Sequence, residues 1–135
     1  MNAETIKLTQ ESWKKVAAIA PQAAALFYEN LFTADASLKP MFKGNMEEQG
    51  QKLMQMIGAA VSKLNNQETL IPILQALAKR HAGYGVKPSH YQTVGAALIQ
   101  TLEQGLGNDF TPAVKAAWVE VYGAMVGVMV SASAH

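Results

Sequence analysis

The feature that most constrains this chain is a helical apolar period that runs from end to end, interrupted by proline, glycine and asparagine and never replaced by sustained strand-like alternation. Ile6, Trp13, Val16, Ala17 and Ala20 predict a first helix over about residues 3–19. Pro21 closes it and can begin the next helix, where Ala24, Phe27, Tyr28 and Leu31 share a face. A short helical turn around Ser37 to Pro40 leads to Phe42, and Gly44 and Asn45 break the chain. A helix over about 47–64 carries Leu53, Met56, Ile57, Ala60, Val61 and Leu64. Another over about 69–82 carries Leu70, Leu74, Leu77 and His81, with Pro72 expected in its first turn. After Gly83, Gly85 and Pro88 come two longer helices, about 89–106 (Tyr91, Val94, Leu98, Leu102) and 111–131 (Val114, Trp118, Val121, Tyr122, Met125). The expectation is one all-α domain over residues 1–135, of about seven to eight helices.

Composition narrows the functions such a bundle can have. The chain has 135 residues, 50% of them hydrophobic, enough to bury a core. Net charge is +1, and the basic clusters are no longer than Lys14–Lys15 and Lys79–Arg80, which leaves no footprint for nucleic acid. Cysteine is absent, which excludes disulfides, thiolate nucleophiles, iron–sulfur clusters and thioether-anchored cofactors. The N-terminus is polar, and no apolar run is expected to match a membrane span or signal core. The expectation is a cytoplasmic chain with no membrane partner.

Function is sought where polar groups sit on faces that otherwise read as core. His81 follows Leu74 by seven residues and Leu77 by four, so it shares their face. It is either a core histidine bonded to a carbonyl or carboxylate, or a metal ligand. Gln49 lies four residues before Leu53 and is either an inward amide or an ordinary first-turn glutamine in solvent. Tyr28 is either an amphipathic boundary residue or a buried donor. His81, His90 and His135 are the only histidines, and no zinc spacing, phosphate-binding loop or nucleophile elbow is present. A lone histidine on an apolar face suits haem better than a bare ion.

Taken in order, Phe27-Tyr28-Glu29-Asn30-Leu31-Phe32, Pro40-Met41-Phe42, Gln49-x-x-x-Leu53, Lys79-Arg80-His81, His90 through Gly95, Ala117-Trp118 and Val121-Tyr122-Gly123 make the chain similar to the globins. The likeness is to bacterial single-domain globins related to the haem domain of flavohaemoglobins. That resemblance implies a globin fold around one non-covalent haem b. It implies His81 as the proximal iron ligand, Phe42 packed on the porphyrin, Tyr28 and Gln49 as distal hydrogen-bond donors, and Leu53 as the apolar wall. It further implies Lys52 near a propionate, and Val86, Tyr91 and Val94 lining the haem pocket, with Tyr91 on the proximal side. One departure stands out. The glutamate that such proteins carry near the end of the last helix has no counterpart in Ser131-Ala132-Ser133-Ala134-His135, which implies weaker electron donation by His81.

The function implied is reversible binding of O₂, CO and NO, with high O₂ affinity, serving oxygen storage or transport. The chain is expected to be a monomer or weak homodimer. The alternative is NO dioxygenation, in which bound O₂ and NO give nitrate and an external reductase restores ferrous iron. Gas sensing ranks third, and a non-haem helical domain binding an apolar ligand is the reading outside haem chemistry.

Overall fold

The computed structural model describes residues 2–42, 44–83 and 87–133, without the side chains of residues 81–83, 88 and 133. The Val86 expectation and the side chain of His81 therefore lie outside the described residues. Six α-helices are described: α1 (Ala3–Ala17), α2 (Ala20–Ala34), α3 (Met46–Ser62), α4 (Gln67–Gly83), α5 (Pro88–Leu106) and α6 (Pro112–Ser133). Short 3-10 turns occupy Ala36–Met41 and Gly107–Asp109. No strand occurs among the described residues, as the unbroken helical period requires.

Local chemistry sets most boundaries. The Asn2 side chain accepts from the Thr5 amide at 2.8 Å, and Lys14 and Lys15 sit at the negative end of α1. Asn45 caps α3 by accepting from the Glu47 amide at 2.8 Å, and Glu47 and Glu48 complement the positive end of that helix. Gly44, at φ +90°, makes the turn before this cap, a backbone region that disfavours side chains. His90 Nδ1 accepts from the Lys87 amide at 3.0 Å, so this histidine caps its own helix. Thr111 caps α6 through a 3.2 Å bond from the Val114 amide.

The helices cross in layers. α2 lies on α5 and α3, while α6 forms a floor for both α1 and α4. Trp118 is completely buried, 6.0 Å between ring centroids from Trp13. Its Nε1–H donates to Ser12 Oγ at 2.8 Å, and Ser12 Oγ donates to the Leu8 carbonyl at 2.7 Å. Across the bundle, Asn30 Nδ2 donates to Thr101 Oγ1 at 3.0 Å and Gln104 Oε1 at 2.9 Å, tying α2 to α5.

Three sequence expectations are corrected. The buried face of α1 is Thr5, Thr9, Ser12, Trp13 and Val16, whereas Ala17 is exposed. Hydroxyls fill that face because each is satisfied locally: Thr9 Oγ1 donates to the Thr5 carbonyl at 2.8 Å. Pro72 is not in the first turn, because α4 begins at Gln67. The proline is exposed there, and the bundle tolerates the missing backbone donor. Lastly, Pro112–Ala132 is long and apolar enough, at mean hydropathy 1.4, to cross a membrane by length and composition. Alanine and glycine link its valines and methionines into one run. Trp118 and Val121 of that run are fully buried, and 28% of the run is buried inside the fold.

Candidate functional site

The site begins where α2, the Ala36–Met41 turn and α3 converge. α2 carries Phe27, Tyr28 and Phe32, and the turn delivers Phe42 to the same place. Tyr28 meets Phe42 edge-on with ring centroids 5.4 Å apart, meets Phe27 edge-on at 5.5 Å, and stacks on Phe32 at 5.9 Å. Phe32 and Phe42 are themselves 5.4 Å apart. Such tilted contacts match the ring quadrupoles and hold the Tyr28 ring in one orientation.

α3 closes on this cluster by a glycine. A Cβ on Gly50 would stand 3.0 Å from Ala24 Cβ and 3.9 Å from Tyr28 Cε2, so only a residue without a side chain lets α3 lie this close to α2. Gln49, half-buried, is the preceding residue in that first turn. Leu53, one turn further, is partly buried, and with Phe27, Ile57 and Leu98 it lines a very small apolar void of about 10 Å³. Lys52 is exposed.

The Tyr28 hydroxyl is the unusual group. Tyr28 is 8% exposed, and its hydroxyl has no hydrogen-bond partner among the described residues. Burial alone pushes its pKa up to about 12, so the phenol keeps its proton at neutral pH and is a donor without an acceptor among the described residues. An unsatisfied buried hydroxyl costs about 1–3 kcal/mol. The structure places the Tyr28 side chain among the buried residues.

On the other side, α4 continues Leu70, Leu74 and Ala78, all buried, into the turn that bears His81, in register with Leu74. Tyr91 is buried and Val94 half-buried on α5. Tyr122 Oη donates to the Tyr91 carbonyl at 2.6 Å, a link that sequence reasoning missed. So was Phe32, the third aromatic against Tyr28. Its spacing of four from Tyr28 was the signal available. Among the described residues no group of three or more His, Cys, Asp or Glu gathers into a bare-ion site. An open groove of about 480 Å³ between α4 and α6, lined by Ile71, Gln75, Gly127 and Val128 among others, contains none of the expected site residues.

The sequence model of the Globin family matches residues 10–129. A protein named Flavohemoprotein from Rhodopirellula baltica is 28% identical over 133 residues, covering 96% of this chain and 33% of its own length. Another of that name from Rhizobium meliloti is 31% identical over 132 residues, covering 90% of this chain and 33% of its own length. The chain spans about a third of the length of these relatives.

Proposed function

This chain belongs to the globin family, and we propose that it holds one non-covalent haem b through His81 and binds O₂, CO or NO reversibly beside Tyr28, in the service of oxygen storage, delivery or buffering. The observation that carries this reading is the buried Tyr28 side chain, whose hydroxyl has no acceptor among the described residues. A polar ligand lodged against the aromatic cluster offsets the cost of that orphan donor. The donor set fits the cofactor: a histidine in register with the leucine face of α4, Phe42 to pack on a flat ring, and apolar walls that keep water out.

Ferrous haem supplies an open coordination position for a diatomic gas. Tyr28 Oη–H donates a hydrogen bond to the partial negative charge of O₂, and the Gln49 amide is the second donor, from the first turn of α3. With the cofactor bound, Leu53 would wall the distal side, Lys52 would reach toward a propionate, and Tyr91 and Val94 would line the pocket. A hydrogen bond to a charged acceptor contributes about 1.5–3 kcal/mol, which slows O₂ release roughly 10- to 100-fold. CO carries less charge and gains less.

A second reading, NO dioxygenation with an external reductase, draws support from the relatives. Their name joins a flavin to a haem protein, and they extend well beyond the third that matches. One experiment tests the haem reading and a second separates the two. Purified chain titrated with hemin should give a Soret band saturating at one equivalent, which moves when CO is added after reduction. A chain that stays colourless contradicts the proposal. With a separate reductase supplied, sustained conversion of NO to nitrate identifies the enzyme, and a single turnover identifies the carrier.

A further inference from the structure

The start of α5 is fastened at two points that respond differently to acid. At Tyr91 the carbonyl accepts from the Tyr122 hydroxyl of α6 at 2.6 Å. That ring lies over Gly95, where a Cβ would stand 2.6 Å from Tyr122 Cε2 and 3.2 Å from Cζ. Burial keeps the Tyr122 phenol protonated well above neutrality, so this fastening is indifferent to mild acid. One residue earlier, His90 Nδ1 accepts from the Lys87 amide at 3.0 Å, and the His90 amide returns a 2.9 Å bond to the Lys87 carbonyl. Only neutral imidazole has an acceptor nitrogen, here with its proton on Nε2. The imidazolium donates from both nitrogens and accepts at neither. A cation at this place also faces the positive end of the helix.

The half-buried imidazole has a second partner within reach. Asp35, between α2 and the Ala36–Met41 turn, lies close enough for the charge of His90 to act on its carboxyl. The Ser37 hydroxyl and amide donate to Asp35 Oδ1 and hold that carboxyl below its usual range, and His90 lowers it further. Asp35 is therefore ionised throughout the range in which imidazole takes up a proton. Beside it stand Lys87, the exposed cation on α5 itself, and the phenols of Tyr91 and of Tyr122 from α6, which burial keeps neutral.

We propose that His90 is a pH-sensitive latch on the start of α5: its neutral ring caps the helix, and its protonated ring releases the Lys87 amide and turns to the Asp35 carboxylate. Acid then loosens residues 87–90, while Tyr122 still holds Tyr91, the neighbour proposed to line the haem pocket. The latch needs only these side chains and does not rest on the haem reading. Its test is solution NMR of the full-length, ¹⁵N-labelled chain between about pH 5 and 8, with amide exchange corrected for its intrinsic pH dependence. At the upper end His90 should show a bare Nδ1 and a protonated Nε2. On acidification the Lys87 amide should lose about tenfold in protection, the effect of one hydrogen bond at the upper end of its usual net range, while the Gly95 amide keeps its own. His90→Gln, whose side-chain oxygen accepts at every pH, should abolish the change, and Asp35→Asn should move its midpoint to lower pH. A ring protonated on Nδ1 at the upper end, or Lys87 protection that is flat across the range, overturns the proposal. So does an acid loss that survives in His90→Gln, which places the titrating group elsewhere. An unmoved midpoint in Asp35→Asn overturns the exchange of partners. If His90→Gln does not fold, the ring tautomer and the Lys87 exchange of the native chain still decide it.

Discussion

Tyr28 is buried and Tyr122 half-buried in this fold, on α2 and α6, and their hydroxyls differ in one respect. The Tyr122 hydroxyl donates a hydrogen bond to the Tyr91 carbonyl at 2.6 Å, whereas the Tyr28 hydroxyl has no acceptor among the described residues. Burial raises both pKa values, so desolvation does not distinguish them. The partner does. A paired phenol recovers its desolvation inside the protein and holds two helices together. An unpaired one keeps that cost in the ligand-free fold, and a ligand relieves it. The same contrast separates α1, where Thr9 and Ser12 return their hydroxyls to their own helix, from the aromatic cluster around Tyr28, where rings offer its hydroxyl no strong acceptor.

The strongest way to break this comparison is to remove the group both sides are read against. His81→Ala should lose haem on gel filtration, with the Soret band restored by added imidazole. Full retention with an unchanged spectrum would show that another side chain holds the iron. Next, Gly95→Val places a branched side chain against the Tyr122 ring and should destabilise folding by about 1–3 kcal/mol in denaturant melts, the usual cost of overpacking. The sharpest contrast is smaller. Tyr122→Phe should cost about 1 kcal/mol, near 4 °C in Tm for a domain of this size. Tyr28→Phe should leave the haem-free protein equally stable or slightly more so, since it deletes a donor that had no acceptor. Equal losses in both variants would erase the distinction.

The smallest effect is alkaline. The folded phenol pKa of Tyr28 lies near 12, above an unfolded value near 10. The folded state therefore holds this proton more tightly, and the associated stability is fully present below about pH 10 and lost as pH rises toward 12. Tyr122 titrates in the same direction. Melts across that window should show native stability falling, and falling less steeply in Tyr28→Phe and in Tyr122→Phe.

Much of the architecture was legible in the sequence, because α3, α5 and α6 carry apolar stripes of helical period that the folded core uses. The α1 core face was not, since Thr5, Thr9 and Ser12 read as solvent residues until their hydroxyl partners are seen. The start of α4 was misplaced because Pro72 reads as a first-turn residue. At the site, Tyr28 and Phe42 could be named from the resemblance, but no spacing reveals that their rings meet at 5.4 Å or that a hydroxyl lacks a partner. The pairing of Tyr122 with Gly95 joins residues on different helices, and periodicity within one helix carries no information about it.

The most direct test is the O₂ dissociation rate of the haem-loaded, ferrous protein by stopped flow, native against Tyr28→Phe. If the orphan hydroxyl exists for the ligand, release should quicken roughly 10- to 100-fold while CO release changes far less. Release within about twofold of native, below even the tenfold of a 1.4 kcal/mol bond, would mean that Tyr28 is buried for packing and that the ligand takes its stabilisation elsewhere.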